Sequence, residues 1–269
     1  MKVFSLWSVV LLVLTASGVA GQPEGVEAVT RPSADVMLGF VQPGRLAAVE
    51  VKDGDRVAAG DVLARLDDDA ERLQADKLKA AADVRIHVEA AQAQVNQRQA
   101  DLKKLEWAGE RGAATAWEIE HARLELRIGE LSVTKAEFDH DQARRDYERA
   151  KAILDRMRLV SPIDGIVNQV LFEKGESVQA LKDVIHLVKI DPLWVEVPVP
   201  LAVARSLKMG NAATVTFAGP KTKAVQGKVV HVSSVGDAAA ETLTVRVEAP
   251  NPSGRPAGER VRVRFGGVK

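Results

Sequence analysis

The hydrophobic pattern changes period several times along the chain. Residues 1–20, MKVFSLWSVVLLVLTASGVA, carry one charge, Lys2, and an apolar run from Val3 to about Leu14. Residues 44–66 and 165–188 alternate apolar and polar side chains, the period-two pattern of half-buried strands. Between these stretches, residues 68–158 contain no proline and are dominated by Ala, Glu, Gln, Lys and Arg, which favour helix. From Asp191 onward short alternating segments return, separated by Gly, Pro and Asn.

The first segment has the layout of a signal peptide: Gly18 and Ala20 sit three and one positions before a cut at Gly21. The alternative is a retained anchor, because the run could just span a bilayer if extended through Ala20. Both place the remainder outside the cytoplasm.

The two alternating stretches are copies of one another. At an offset of 121, Gly44 aligns with Gly165, Val49 with Val170, Val51 with Phe172, Gly54 with Gly175 and Val57 with Val178. After a one-residue insertion, Val62-Leu63 aligns with Val184-Ile185. Gly54 and Gly175 fit turn positions that need positive φ. Neither half can bury its apolar face alone, so the spacing predicts two halves closing on each other as a small flattened barrel.

The insert between them predicts an antiparallel helical hairpin. The first arm carries Ala81, Val88, Val95 and Leu102, with Val84, Ala91 and Leu105 three residues after their partners; Arg98 interrupts the second row. The second arm carries Ile119, Leu126, Val133, His140, Tyr147 and Leu154, beside the smaller row Ala122, Gly129, Ala136, Ala143, Ala150 and Met157. Such a repeat indicates a two-stranded coiled coil. The pattern breaks between Ala108 and Thr115, where Gly109 and Gly112 mark a turn, and Thr115 with Glu118 forms a capping-box sequence. Arms of roughly 40 residues would reach about 60 Å and return the chain to its start. A further row, Leu124, Leu131 and Phe138, lies off the seam, either as scattered surface residues or as a stripe touching a neighbouring hairpin.

The C-terminal segments PLWVEVPVP, NAATVTF, AVQGKVVHVSSV, ETLTVRVEAPN and ERVRVRF read as a small antiparallel barrel, with Leu201–Lys208 helix-like. Arg260, Arg262 and Arg264 share one strand face. They suit a solvated edge that discourages aggregation, or contact with an acidic partner or anionic lipid.

Composition narrows the chemistry. The 269 residues include 37 basic and 37 acidic side chains, which argues against nucleic acid as a partner. The absence of cysteine excludes thiolate metal sites, thiol nucleophiles and a lipoprotein anchor. At 4% aromatics, an aromatic-lined small-molecule pocket is not expected. His87, His121, His140, His186 and His231 have no close metal spacing. Asp67-Asp68-Asp69 lacks the glycine and distal glutamate of a calcium loop and suits a helix N-terminus instead. Ser161-Pro162 is not in a nucleophile elbow, and no phosphate loop or dinucleotide fingerprint occurs. No enzyme, metal or cofactor is predicted.

The order of strand half, helical hairpin, strand half and barrel resembles the periplasmic adaptor subunits of bacterial efflux and secretion systems, the membrane fusion or HlyD-like family. The residues carrying the resemblance are GRLAAVEVKDGDRVAAGDVLARLD at 44–67, RLVSPIDGIV at 158–167 and the tail TLTVRVEAPN…PAGERVRV. The resemblance implies an elongated, non-enzymatic bridge of mixed α and β structure between an inner-membrane transporter, of RND or ABC type, and a TolC-like outer-membrane channel, often as a ring of protomers. An envelope coiled-coil scaffold without a transport role is the alternative. The implied domains are a signal peptide at 1–20, a split lipoyl-like domain at 26–67 plus 159–190, a hairpin at 68–158 with its tip at about 108–116, and a β-barrel at 191–266; no complete membrane-proximal domain is expected. The family's tip carries Arg, then Leu, then Gly-Ala-x-Ser. Here Gly112-Ala113-Ala114-Thr115 matches the last part with Thr for Ser, while Lys104 and Ala108 stand at the Arg and Leu positions and Leu105 is adjacent. The resemblance thus implies partner docking through Leu105, Gly112, Ala113, Ala114 and Thr115, and pump or membrane contact through the three arginines. The halves also resemble biotinyl and lipoyl carrier domains, but Asp68 stands where the modified lysine is expected.

Overall fold

The computed structural model describes residues 25–218 and 224–266, so the proposed signal segment lies outside the described residues. These form two compact units, one built from the chain up to Ser33 together with Ile190 onward, the other from Ala34–Lys189. Two strands, β1 (Val26–Gly39) and β8 (Asp183–Pro200), contribute residues to both.

In the second unit the sequence repeat becomes a structural one. The first copy supplies β2 (Gly44–Val49), β3 (Arg56–Val57) and β4 (Val62–Leu66); the second supplies β6 (Gly165–Val170), β7 (Ser177–Val178) and the start of β8. The copies exchange partners. Gly44 pairs with Val178 and, 121 residues on, Gly165 pairs with Val57. The turns cross in the same way: Gly54 donates its N–H to Val167 O and Gly175 donates to Leu46 O, both at 2.8 Å. Those two glycines have φ of 88° and 95°, a region open to glycine and costly for most side chains. Each turn is tied by the same kind of carboxylate, Asp55 accepting from Lys52 N and Glu176 from Glu173 N. The shared core between the copies contains Phe40, Leu46, Leu63, Leu66, Val167, Ile185 and Leu187, all essentially inaccessible. Because both copies line one core, neither folds without the other, and the insert must bring its own ends together.

It does so through α1 (Asp69–Asp83), α2 (Ile86–Gly109) and α3 (Ala116–Arg156), followed by β5 (Arg158–Val160). Strands β4 and β5 pair, with Arg65 opposite Arg158, so the helices leave and return at one place. The contacts Arg123–Glu106 and Arg98–Glu125 run antiparallel across α2 and α3. In these helices the expected seam of Val88, Ala91, Val95, Leu102 and Leu105 is buried or half-buried. So are both expected rows of α3 from Ile119 to Met157. Arg98, the polar interruption, is satisfied by donating to Glu125 O at 2.8 Å.

The first arm is not one helix. At Val84 the backbone is extended (φ −84°, ψ 116°), which separates α1 from α2. An extended residue advances the chain without winding it, so the register resets. Ala75 and Ala82 are buried in α1, while Ala81 and Val84, expected on the seam, are exposed.

The other unit is a closed antiparallel barrel. Its strands β9 (Ala212–Phe217), β10 (Ala224–Asp237), β11 (Thr242–Ala249) and β12 (Arg260–Phe265) join β1 and β8 in the order β1-β12-β9-β10-β11-β8, and β1 also pairs with β8 to close the ring. A short helix, α4 (Leu201–Ala204), follows β8. Alternation fills the interior: Leu193, Val195, Val197 and Val199 of β8 point inward, and Val195 and Val197 face Val247 and Val245 of β11. With these four side chains fully buried, each contributes about 1.5–3 kcal/mol of apolar burial.

Candidate docking surfaces

The tip of the helical hairpin spans the end of α2 and the start of α3. Gly112 takes φ 71° and Ala113 N bonds to Ala108 O at 2.9 Å, closing the turn. Thr115 caps α3: its hydroxyl accepts from Glu118 N, while Glu118 accepts from Thr115 N at 2.7 Å. The backbone N–H of Thr115, then its hydroxyl, hold the Glu118 carboxyl below the ordinary glutamate value. Glu106 and Glu120 both bind Arg123 and raise its pKa. Gly112, Ala113 and Thr115 are exposed, and Ala114 and Leu105 are half-buried.

Leu124, Leu131 and Phe138 are 58%, 54% and 63% exposed, so this off-seam row of α3 lies on the surface. The Arg145 guanidinium lies 5.8 Å from the Phe138 ring centre.

Arg260, Arg262 and Arg264 alternate with the buried Val261 and Val263 and face solvent together. Their strand is hydrogen-bonded on both sides, to β1 and to β9. A solvated sheet edge therefore does not explain the three arginines, and that reading is corrected. Arg262 forms an ion pair with Glu27 at 3.4 Å.

Gly44 and Gly165, equivalent in the repeat, meet different surroundings. A Cβ on Gly44 would meet Leu66 side-chain carbons at 3.1–3.5 Å, whereas one on Gly165 would lie 2.8 Å from the Val188 carbonyl oxygen. His186 bonds Asn168 at 2.9 Å and Asp35 at 2.6 Å, and His140 is half-buried on α3. Among the described residues no cluster of three His, Asp or Glu side chains could hold a metal ion.

Residues 41–189 match the family profile described as "RND MFP, barrel-sandwich hybrid domain", and residues 192–268 match "CusB-like, beta-barrel domain". The chain belongs to the membrane fusion protein family. This membrane fusion protein is 23% identical over 227 residues to the macrolide export protein MacA of Escherichia coli O157:H7, covering 81% of this chain. It is 28% identical over 249 residues to the nickel-cobalt-cadmium resistance protein NccB of Alcaligenes xylosoxydans xylosoxydans, covering 90% of this chain. The chain spans 61% of the length of the first and 57% of the second. Its fold is similar to the crystal structure of MacA from Actinobacillus actinomycetemcomitans, with a TM-score of 0.74 at 17% identity over 90% of this chain and 78% of that one.

Sequence reasoning passed over two side chains at the tip of this membrane fusion protein. Trp107 and Trp117 are 59% and 72% exposed, one on each helix. They fall outside the heptad rows, and a tryptophan on the polar face of a helix is the signal that could have found them. No helix among the described residues is long and apolar enough to cross a membrane.

Proposed function

We propose that this membrane fusion protein is a periplasmic adaptor joining an inner-membrane transporter, of RND or ABC type, to a TolC-like outer-membrane channel. The observation that carries the reading is the helical insertion into the barrel-sandwich core. The chain leaves at β4, turns at Gly112 and returns at the neighbouring β5. The 41 residues of α3 span about 60 Å, which supports a single coiled-coil arm as the reaching element. Such a chain acts by geometry rather than by catalysis. The tip residues Leu105, Gly112, Ala113, Ala114 and Thr115 face the channel. Leu124, Leu131 and Phe138 touch the neighbouring protomer of a ring. Arg260, Arg262 and Arg264 meet the transporter or the membrane surface beside it. The segment 1–20 directs export, with the domains bounded as the sequence suggests.

The relatives are named for macrolide export, for nickel, cobalt and cadmium resistance and, in Neisseria gonorrhoeae, for fatty acid resistance. The test is co-purification of the tagged full chain after crosslinking in its host. Recovery of an inner-membrane transporter and an outer-membrane channel is expected. Recovery of neither from cells holding folded protein would leave the envelope scaffold in its place.

A further inference from the structure

We propose that Arg260, Arg262 and Arg264 form a face for anionic phospholipid headgroups, on which the barrel lies against the surface of the inner membrane. The proposal rests on the adaptor reading and chooses lipid over protein as what this face meets. Lipid contact is compatible with the transporter of that reading, which stands in the same bilayer. The three side chains leave one strand at alternate residues and span about 14 Å. A barrel wall is convex, so it touches a flat surface along little more than one strand, and here that strand is β12. Among the described residues Arg260 and Arg264 form no ion pair.

The excess of positive charge survives a count of the neighbouring groups. Glu27 pairs with Arg262, Glu259 with Arg255, and Glu196 with both Arg31 and Arg246. Glu248 stands opposite Lys228. Next to Arg262 and Arg264, β9 offers the uncharged Thr216 and Thr214. Seven bases thus meet four acids around these strands, in a chain whose 37 bases and 37 acids balance. Outside the described residues, the flanking sequence adds Glu24 against Lys221, Lys223 and Lys269. A hollow of about 300 Å³ opens on the wall, with Glu27, Thr216, Arg260 and Arg262 in its lining, and gives a phosphodiester room between the two arginines.

Two observations favour lipid over an acidic protein. The first is chain length. Val26 pairs with Val263, between Arg262 and Arg264, and Ala20 ends the apolar segment only six residues earlier. Six extended residues reach at most about 22 Å, so segment 1–20, while it is in the membrane, holds this wall close to the bilayer surface. The second is what the wall lacks. Where β1, β12, β9 and β10 pair, Phe217 and Phe265 pack against the interior, and Val29 is the one outward apolar side chain larger than alanine. Protein interfaces draw their affinity from aromatic and apolar anchors. An anionic lipid surface recruits basic residues through its field alone.

The chain has no cysteine, so Thr216→Cys or Thr244→Cys gives the full chain a single labelling site, beside Arg262 or on β11. Protein purified from its host carries a fluorophore there, and vesicles carry a short-range headgroup quencher. With phosphatidylglycerol vesicles the label at position 216 should be quenched and the label at 244 spared, whereas an anchor alone brings both to the bilayer. Phosphatidylcholine vesicles or raised ionic strength should remove the difference. Each arginine beside an anionic surface is worth about a fivefold gain in partitioning. The lipid concentration for half-quenching should therefore rise about fivefold in Arg264→Gln and about 25-fold when Arg260→Gln is added. The matching lysine variants should stay near wild type, because the field does not distinguish the two cations as a bidentate protein contact does. Melting temperatures should be unchanged throughout. Equal quenching at both positions, or glutamine variants that bind as wild type, would overturn the lipid face. An unquenched label, with transporter capture in cells lost in the lysine variants, would overturn it in favour of an acidic protein surface. Quenching as expected, in a host where neither transporter nor channel co-purifies, would fail the adaptor reading and keep the lipid face.

Discussion

Gly44 and Gly165 are the same residue in the repeat, and the fold predicts that they tolerate alanine unequally. At Gly165 the new methyl would sit 2.8 Å from the Val188 carbonyl oxygen and 3.3 Å from Leu187 Cδ1. The oxygen belongs to β8, which pairs with β6 through Ile166 and Val188, so relief requires moving a hydrogen-bonded strand. Overpacking of this kind costs about 1–3 kcal/mol. At Gly44 the nearest atoms to the methyl are Leu66 side-chain carbons at 3.1–3.5 Å, so a shift of a few tenths of an ångström in one side chain relieves the contact and no strand has to move. Both substitutions gain about 0.4–1 kcal/mol by stiffening the unfolded chain. The expected outcome is Gly165→Ala destabilised by about 1–2 kcal/mol and Gly44→Ala within about 0.5 kcal/mol of wild type. The assay is hydrogen exchange by mass spectrometry on peptides covering β6 and the start of β8, which reads the strands beside the substitution directly. A penalty of about 1.4 kcal/mol raises exchange about tenfold. Equal behaviour of the two variants would refute the asymmetry, and a neutral Gly165→Ala would refute the strand approach itself.

Four further outcomes are expected. Leu181 holds φ 61° at the position where its repeat mate Gly60 has φ 94°, and its side chain is 80% exposed; Leu181→Gly should therefore keep or raise the melting temperature, and a clear fall would mean that the side chain has a burying partner. Thr115→Ala should cost about 1 kcal/mol of helix-end stability, read as faster exchange at the start of α3. Since the carboxyl of Glu118 is held below its ordinary value, first by the backbone N–H of Thr115, its contribution is present above the unfolded-state pKa and is lost as pH falls through the lower folded one, so the effect of Glu118→Ala at the start of α3 should shrink in acid. Leu131→Glu should reduce self-association in analytical ultracentrifugation of the assembled complex; unchanged mass would remove the α3 stripe from protomer contacts.

The sequence reveals most where one physical requirement repeats. Gly54 and Gly175 are legible because both turns need a positive φ, and matching valines report one shared core. The α2 and α3 seam is legible because apolar residues seven apart return to the same helix face, where a partner helix must cover them. The register of α1 is not: Val84 becomes extended without glycine or proline nearby, and the local residues Asp83-Val84-Arg85 carry no breaker. The arginine strand misleads for a topological reason. Alternating charge on a strand looks like an exposed edge until β1, far away in sequence, is seen to pair with β12. The tip tryptophans escape a search for periodic apolar rows because they lie off those rows.

The central proposal is that the hairpin tip and the arginine face of β12 meet different partners. It is tested most directly by a photo-crosslinking residue placed in living cells at Thr115 in one strain and at Arg262 in another. The predicted result is an outer-membrane channel captured from Thr115 and an inner-membrane transporter captured from Arg262. The same partner from both positions, or no envelope transport protein from either in cells holding folded chain, would contradict it.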